Sequence, residues 1–176
     1  RIYRVSIASL LNNNPVCDTI NFSYSDQTNF NPTGANNTDF DCEALIVTAD
    51  SIFLFTKQWV SEETALYALP KNPGTHIAQW HAALDVNGLI TGATLLENKK
   101  VVALCGYSGL MQPFLYLLYD YQGSSYFSGN KRKLTLSLPF HQVEGIATTN
   151  GLKYYVTNEH FTQAPFINNL QKLHVV

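Results

Sequence analysis

Charged residues, cysteines and long apolar runs are all scarce in this chain, and each shortage removes a class of protein. Charged residues make up 14% of the 176 residues and the formal net charge is −2, so the sequence lacks the basic surface that non-specific nucleic-acid binding requires. No apolar stretch approaches the roughly 20 residues of a membrane-spanning helix. The three cysteines, Cys17, Cys42 and Cys105, match no zinc or redox spacing. We therefore expect a globular domain with no nucleic-acid partner and no membrane span.

Apolar residues are nevertheless abundant, and their spacing indicates β-structure. Hydrophobic residues make up 45% of the chain and aromatic residues 12%, which suffices for a packed core. They recur in short alternating runs separated by Asn, Asp, Gly or Pro, the pattern of β-strands joined by turns. Strand pairs are predicted at 44–49 with 52–56, at 90–95 with 101–105, and within 141–159. In the last pair, Asn150-Gly151 favours a two-residue type I′ turn.

Three of these units begin with similar residues at a spacing of about 50 positions, which is typical of β-propeller blades of four strands each. We predict an all-β, β-propeller-like chain of about three and a half four-stranded blades from a larger propeller; a β-sandwich is the alternative. Such an open arc leaves blade edges uncovered, so self-association through them is expected. The aligned starts are Glu43-Ala44-Leu45, Thr91-Gly92-Ala93 and Glu144-Gly145-Ile146. The predicted divisions are a partial blade at 1–24, a loop at 25–39, whole blades at 40–87 and 88–140, and a partial blade at 141–176.

Five short motifs also carry a resemblance to known proteins: DFDCEAL at 39–45, LFTK at 54–57, PGT at 73–75, ITGA at 90–93 and QVEGI at 142–146. With them the chain resembles secreted β-propellers of unknown function from Bacteroidota, which often carry a C-terminal sorting domain for type IX secretion (T9SS). It is also similar to the SdiA-regulated and phytase-esterase-like six-bladed propellers, which implies that the larger propeller has six blades. The resemblance implies a secreted or cell-surface protein of a bacterium, with a cation held by such glutamates in the central channel.

Two glutamates are the candidate metal ligands. Glu43 and Glu144 occupy equivalent places at the start of the innermost strand, where side chains ring one mouth of a propeller channel. Converging carboxylates, backbone carbonyls and water suit Ca²⁺, which prefers oxygen ligands. The alternative is that each glutamate accepts hydrogen bonds from backbone amides of the neighbouring blade. Thr91 stands at the equivalent place in the middle unit and brings no charge.

Three further residues are candidates for a binding site at the same mouth. They are Asp41, Thr91 and Glu159. Asp41 closely follows the long loop at 25–39, whereas Glu159 lies at the end of a second strand, the position that Lys57 and Tyr107 hold in the other units. Exposed polar residues at blade edges are the simpler interpretation of such a ring.

Two functions are compatible with these features. The first is an extracellular, non-catalytic module that binds a protein or glycan or serves as a scaffold. The alternative is a Ca²⁺-dependent hydrolase of the phytase, esterase or lactonase type, in which the channel metal polarises the substrate and activates water. The enzyme needs three or four converging oxygens and a base, and the sequence supplies two aligned glutamates. We therefore favour the non-catalytic module and predict no catalytic residues.

Overall fold

The computed structural model describes residues 1–31 and 34–176, and this part of the chain is all-β. Its helical elements are short: α1 (Ile7–Leu11) and a 3₁₀ turn at Glu97–Lys99. Helix α1 was not predicted; it begins after Ser6, whose hydroxyl accepts a hydrogen bond from the Ser9 amide at 3.4 Å and so caps the first turn. The predicted loop 25–39 contains neither helix nor strand in its described residues. Pro32 and Thr33, which belong to that loop, lie outside the described residues.

The first sheet has six strands in the order β1-β2-β6-β5-β4-β3. Neighbours are antiparallel except β2 and β6, which are parallel. The strands are β1 (Ile2–Val5), β2 (Cys17–Tyr24), β3 (Asp41–Val47), β4 (Ser51–Lys57), β5 (Glu63–Pro70) and β6 (Gly74–Asp85).

The second and third sheets are antiparallel throughout. The second has four strands in the order β10-β9-β8-β7, and the third has three in the order β11-β12-β15, with β13 and β14 forming a separate hairpin. The strands of the second sheet are β7 (Leu89–Leu96), β8 (Val101–Tyr107), β9 (Pro113–Tyr119) and β10 (Asn130–Thr135). The remaining strands are β11 (Val143–Thr148), β12 (Tyr154–Asn158), β13 (Phe161–Gln163), β14 (Ile167–Asn169) and β15 (Lys172–Val175).

The turn between β11 and β12 differs from the predicted type I′ hairpin. Of the pair Asn150-Gly151, Gly151 alone has a positive φ, at 69°, whereas a type I′ turn needs positive φ at both central residues. The Asn150 side chain instead accepts hydrogen bonds from the amides of Leu152 and Lys153 at 2.9 and 3.0 Å. This Asx-type closure makes the connection five residues long, because Asn satisfies the loop backbone with its own side chain.

The three sheets stack face to face and bury two layers of apolar side chains between them. Phe53 and Phe55 of β4 share one core with Val102 and Leu104 of β8. The opposite face of β8 packs against the third sheet in a separate core that includes Cys105, Tyr154 and Val156. One strand from each sheet takes part in these contacts, because β7 of the second sheet contacts both β3 of the first sheet and β11 of the third. The stack therefore brings the starts of these three strands together.

Residues 1–24, which were predicted as a partial blade, pack against the first sheet. They form β1, α1 and β2, and β2 joins the first sheet by parallel pairing with the first half of β6, from Ile20 opposite Gly74 to Tyr24 opposite Ala78. The sheet curls, so that β2 also covers its own neighbours. The Tyr24 ring lies 4.5 Å from the Tyr67 ring of β5, between centroids, and Ile20 and Leu54 belong to the same core. The first two strands thus close the free face of the first sheet.

Candidate functional site

A β-bulge marks the same point in each of the three neighbouring strands. The strand register shifts by one residue within β3, β7 and β11, at the three positions that the sequence comparison aligned. A bulge adds one residue to one strand and re-aims its side chain. The shifts fall between Cys42 and Ala44, between Ile90 and Gly92, and between Val143 and Gly145, so the inserted residues are Glu43, Thr91 and Glu144.

At the first bulge, Glu43 is paired with a buried lysine, Lys57. It ends β4, and its side chain is only 4% exposed. Its Nζ donates to both carboxylate oxygens of Glu43, at 3.0 and 2.9 Å, and lies 4.6 Å from the centroid of the Trp59 ring and 5.5 Å from that of Tyr107. Burial alone would lower the pKa of Lys57, but the hydrogen bond to Glu43 and the surrounding negative groups outweigh it and raise the pKa above its ordinary value. Lys57 is therefore a buried cation fixed by a charge-assisted bidentate pair.

Glu144 approaches the same pair from the third sheet. Burial raises its pKa most, and a hydrogen bond to Glu43 together with the charge of that carboxylate raises it further. Lys57 acts in the opposite direction, and Glu159 adds a small increase, so that the pKa of Glu144 is raised to about 8. At neutral pH the Glu144 carboxyl therefore keeps its proton and faces Glu43 as a neutral acid. Two adjacent carboxyls with one proton between them avoid like-charge repulsion.

Asp41 fixes the position of Trp59 beside Lys57, Glu43 and Glu144, which together we call the Lys57 cluster. Its Oδ2 accepts a hydrogen bond from Nε1 of Trp59 at 3.0 Å, and its Oδ1 accepts one from the Cys42 amide at 2.9 Å. The indole ring is thereby oriented with its face toward the Lys57 ammonium, a favourable cation–π arrangement. Both Asp41 oxygens are thus engaged within the protein.

Thr91 joins the second sheet to the third and is buried, with 1% exposure. Its hydroxyl donates a short hydrogen bond to the carbonyl of Val143. Gly92 follows in the same strand, and a Cβ there would lie 2.9 Å from the Glu144 carbonyl oxygen and 2.8 Å from Sγ of Cys105. The middle bulge is therefore a close-packed junction between sheets, and it contributes no charge to the cluster.

Glu159 is exposed and directly follows β12. Its amide donates to the carbonyl of Gln142 at 2.9 Å, which fixes the backbone but leaves the carboxylate toward solvent. The register gives Glu159 the same position as Lys57 and Tyr107, since each follows the second-strand residue that pairs with the residue before the bulge. Those pairs are Cys42 with Thr56, Ile90 with Gly106, and Val143 with Asn158.

The structure thus brings Glu43 and Glu144 together, places Asp41 and Thr91 in supporting hydrogen bonds, and leaves Glu159 at the edge. Sequence reasoning missed the role of Lys57. A lysine at the end of the apolar strand β4 was the available signal. Among residues 1–31 and 34–176, no three His, Cys, Asp or Glu side chains lie close enough to hold a metal ion.

Comparison with known proteins returned no match among protein-family models, curated proteins or solved structures. In the described part of the chain, no helix combines the length and the apolar character needed to cross a membrane.

Proposed function

We propose that this chain is a non-catalytic, extracellular binding or scaffold module built as a segment of a β-propeller. The observation that carries the proposal is the bidentate bond from Nζ of Lys57 to Glu43 at 3.0 and 2.9 Å. It occupies the carboxylate that a channel metal would need. The resemblance to secreted bacterial propellers is the support for a secreted or cell-surface location.

Three features favour a propeller over other all-β arrangements. The sheets pack face to face in chain order, each has an antiparallel meander of three or four strands, and the first strand of each meander lies beside that of the next. This is how blades are arranged around a channel. We propose three successive blades, β3–β6, β7–β10 and β11–β15, with β1 and β2 as an addition to the first.

The charges of the cluster argue for the non-catalytic reading. Ca²⁺ takes six to eight oxygen ligands and needs ionised carboxylates among them. Here Lys57 already neutralises Glu43, while Glu144 keeps a proton at neutral pH. Binding a metal would require displacing a buried ammonium and deprotonating Glu144. Both steps cost free energy that the ion would have to recover.

A calcium titration followed by thermal melting tests this proposal. A ligand that binds only the native state raises the melting temperature. We therefore expect no shift at pH 7 with Ca²⁺ up to about 10 mM, which is about ten times the dissociation constant of the weakest protein Ca²⁺ sites. Hydrolysis of p-nitrophenyl phosphate, p-nitrophenyl acetate and a simple lactone is expected to stay at the buffer rate. A saturable rise in melting temperature that disappears in Glu43→Gln, with calcium-dependent hydrolysis, would instead establish the hydrolase alternative.

The class of ligand also has a direct test. Of the two tryptophans, Trp59 is held beneath Lys57, whereas Trp80 on β6 is 50% exposed and is the one free to stack on a sugar ring. If the ligand is a glycan, oligosaccharides should quench Trp80 fluorescence, and Trp80→Ala should abolish the response while Trp59→Phe retains it. Quenching that persists in Trp80→Ala would rule out this platform.

A further inference from the structure

Two histidines form a ring contact between the segment before β11 and the strand β15. The ring centroids of His141 and His174 lie 5.3 Å apart, and the ring planes are nearly perpendicular, at 85°. Both side chains are half-buried, and neither belongs to the Lys57 cluster. Imidazole is the commonest protein ligand of metal ions, so two adjacent rings are candidate ligands for one ion.

The hydrogen bond of each ring determines which nitrogen carries the proton. Nδ1 of His141 lies 2.9 Å from the carbonyl oxygen of Pro139; a carbonyl can only accept, so Nδ1 carries the hydrogen and Nε2 keeps its lone pair in the neutral ring. Nε2 of His174 lies 2.8 Å from Oδ1 of Asn158. That atom is identified as the oxygen because the amide nitrogen of Asn158 donates to two backbone carbonyls. Nδ1 of His174 therefore keeps its lone pair.

These two lone pairs are available to a metal ion. A histidine that binds a metal almost always donates its other ring N–H to an oxygen, because that bond fixes the ring and makes the free nitrogen more basic. Burial lowers the pKa of His174, and the neighbouring His141 and Lys172 lower it further. The His174 ring is therefore neutral at pH 7, as a metal ligand must be. Lys172 is exposed, so solvent and salt screen its repulsion of a bound cation.

The separation of the rings fits a tetrahedral ion. With metal–nitrogen distances of about 2.0–2.1 Å, two imidazoles at the tetrahedral angle have ring centres about 5.2 Å apart, against about 4.5 Å at the right angle of a square-planar ion. The observed 5.3 Å agrees with the first value. Both rings also have fixed supports. Asn158 is 4% exposed, and Phe140, next to His141, donates its amide to the Met111 carbonyl at 2.9 Å.

We propose that His141 and His174 form a Zn²⁺ site, with Nε2 of His141 and Nδ1 of His174 as its protein ligands and water in the remaining positions. Zn²⁺ binds imidazole nitrogen and is tetrahedral in most protein sites. In the described part of the chain, no third His, Cys, Asp or Glu side chain lies close enough to complete the set. Binding is therefore weaker than at a structural zinc site with four protein ligands. The site is separate from the Lys57 cluster and does not depend on the proposed function.

Isothermal titration calorimetry with Zn²⁺ at pH 7 tests the site. With the ion added up to about 1 mM, a range that spans micromolar to submillimolar dissociation constants, we expect one saturable Zn²⁺ per chain. Mg²⁺, which prefers oxygen ligands, should give none. His174→Gln keeps an N–H for Oδ1 of Asn158 but removes the ligand nitrogen, so it should weaken Zn²⁺ binding by about tenfold or more. His141→Gln should have the same effect.

Two control variants should bind Zn²⁺ as the unmodified chain does. In the first, His76→Gln, the replaced histidine is exposed and its Nε2 also lies 2.9 Å from a backbone carbonyl, that of Asn72, but no second histidine ring packs against it among the described residues. The second, Cys17→Ser, removes the exposed thiol, which is another possible zinc ligand.

The proposal would be overturned by the absence of saturable binding up to about 1 mM, or by full binding in either His141→Gln or His174→Gln. Loss of binding in a control variant would also overturn it, because the ion would then be held elsewhere. Should a histidine variant fail to fold, proton NMR of the unmodified chain decides the question. Zn²⁺ should shift the ring resonances of His141 and His174 before those of the other three histidines, and an equal shift of all five would contradict the site.

Discussion

Replacing Glu144 by glutamine should abolish a loss of stability that the unmodified protein undergoes as the pH rises. The folded state holds the Glu144 proton up to a pKa of about 8, whereas the ordinary value is 4.5. Between these two pH values the folded state binds more protons than the unfolded state, so the free energy of unfolding falls as pH increases. In Glu144→Gln the amide group donates to Glu43 at every pH, as the protonated carboxyl does only below about pH 8. The variant should therefore show no such decline.

The magnitude follows from the size of the pKa change. Each pKa unit corresponds to about 1.4 kcal/mol, so a change from 4.5 to about 8 sets an upper limit of about 5 kcal/mol. Glu144 is only half-buried, and water screens its interaction with Glu43. We therefore expect Glu144→Gln to exceed the unmodified protein by about 2 kcal/mol in unfolding free energy above pH 8, and to match it near pH 4.5.

Urea unfolding at a series of pH values provides the measurement. Lys57 and Tyr107 have pKa values raised above 10.5 and 10.0, so they titrate above this interval. Burial lowers the pKa of His174, which gives a slope of opposite sign, but it is present in both proteins and cancels in the difference. Glu159→Gln is the control, because that exposed carboxylate should leave the slope almost unchanged. Parallel curves for Glu144→Gln and the unmodified protein would refute the reasoning.

Three further predictions concern residues at the bulges and in the first sheet. Thr91→Val should lower the free energy of unfolding by about 1–2 kcal/mol, because it leaves the Val143 carbonyl of β11 without its donor. Thr64→Val should instead raise it by up to about 1 kcal/mol, because the buried Thr64 hydroxyl has no partner among the described residues. Urea unfolding distinguishes the two signs, and equal signs would contradict these hydrogen-bond assignments. Gly92→Ala should cost about 2 kcal/mol, since its Cβ meets a backbone oxygen, and Gly145→Ala should cost less because it meets only a threonine side chain; a reversed order in thermal melts would count against this packing. Lys57→Met should lower stability at pH 7 by about 2 kcal/mol by leaving two carboxyls without their cation, and an unchanged melting temperature would show that the ion pair contributes nothing.

Local patterns predicted the strands well, because alternation and turn residues act over a few positions. The strand predicted at 52–56 is β4, Ser51–Lys57, and the one at 101–105 is β8, Val101–Tyr107. The residues that the sequence comparison aligned, Glu43, Thr91 and Glu144, are the ones inserted at the three bulges, although no bulge was predicted. These features depend on neighbours in sequence.

The features that were missed depend on distant parts of the chain. The parallel pairing of β2 with β6 joins residues more than 50 positions apart, and no local signal indicates it. The buried Lys57 is a second example. Its position at the end of β4 is visible in the sequence, but its burial results from the bulge at Glu43 and from the packing of Trp59 and Tyr107 around the ammonium group.

The most direct test of this account is a carbon-13 NMR titration of the glutamate carboxyl groups, with and without Ca²⁺. The account predicts one carboxyl that titrates near pH 8, assigned by its absence in Glu144→Gln and unaffected by about 10 mM Ca²⁺. It would be contradicted by a Glu144 resonance that titrates near 4.5, because burial beside Glu43 would then not hold the proton. A Glu144 pKa that falls when calcium is added would also contradict it, because the ion would then compete with Lys57 for these carboxyls.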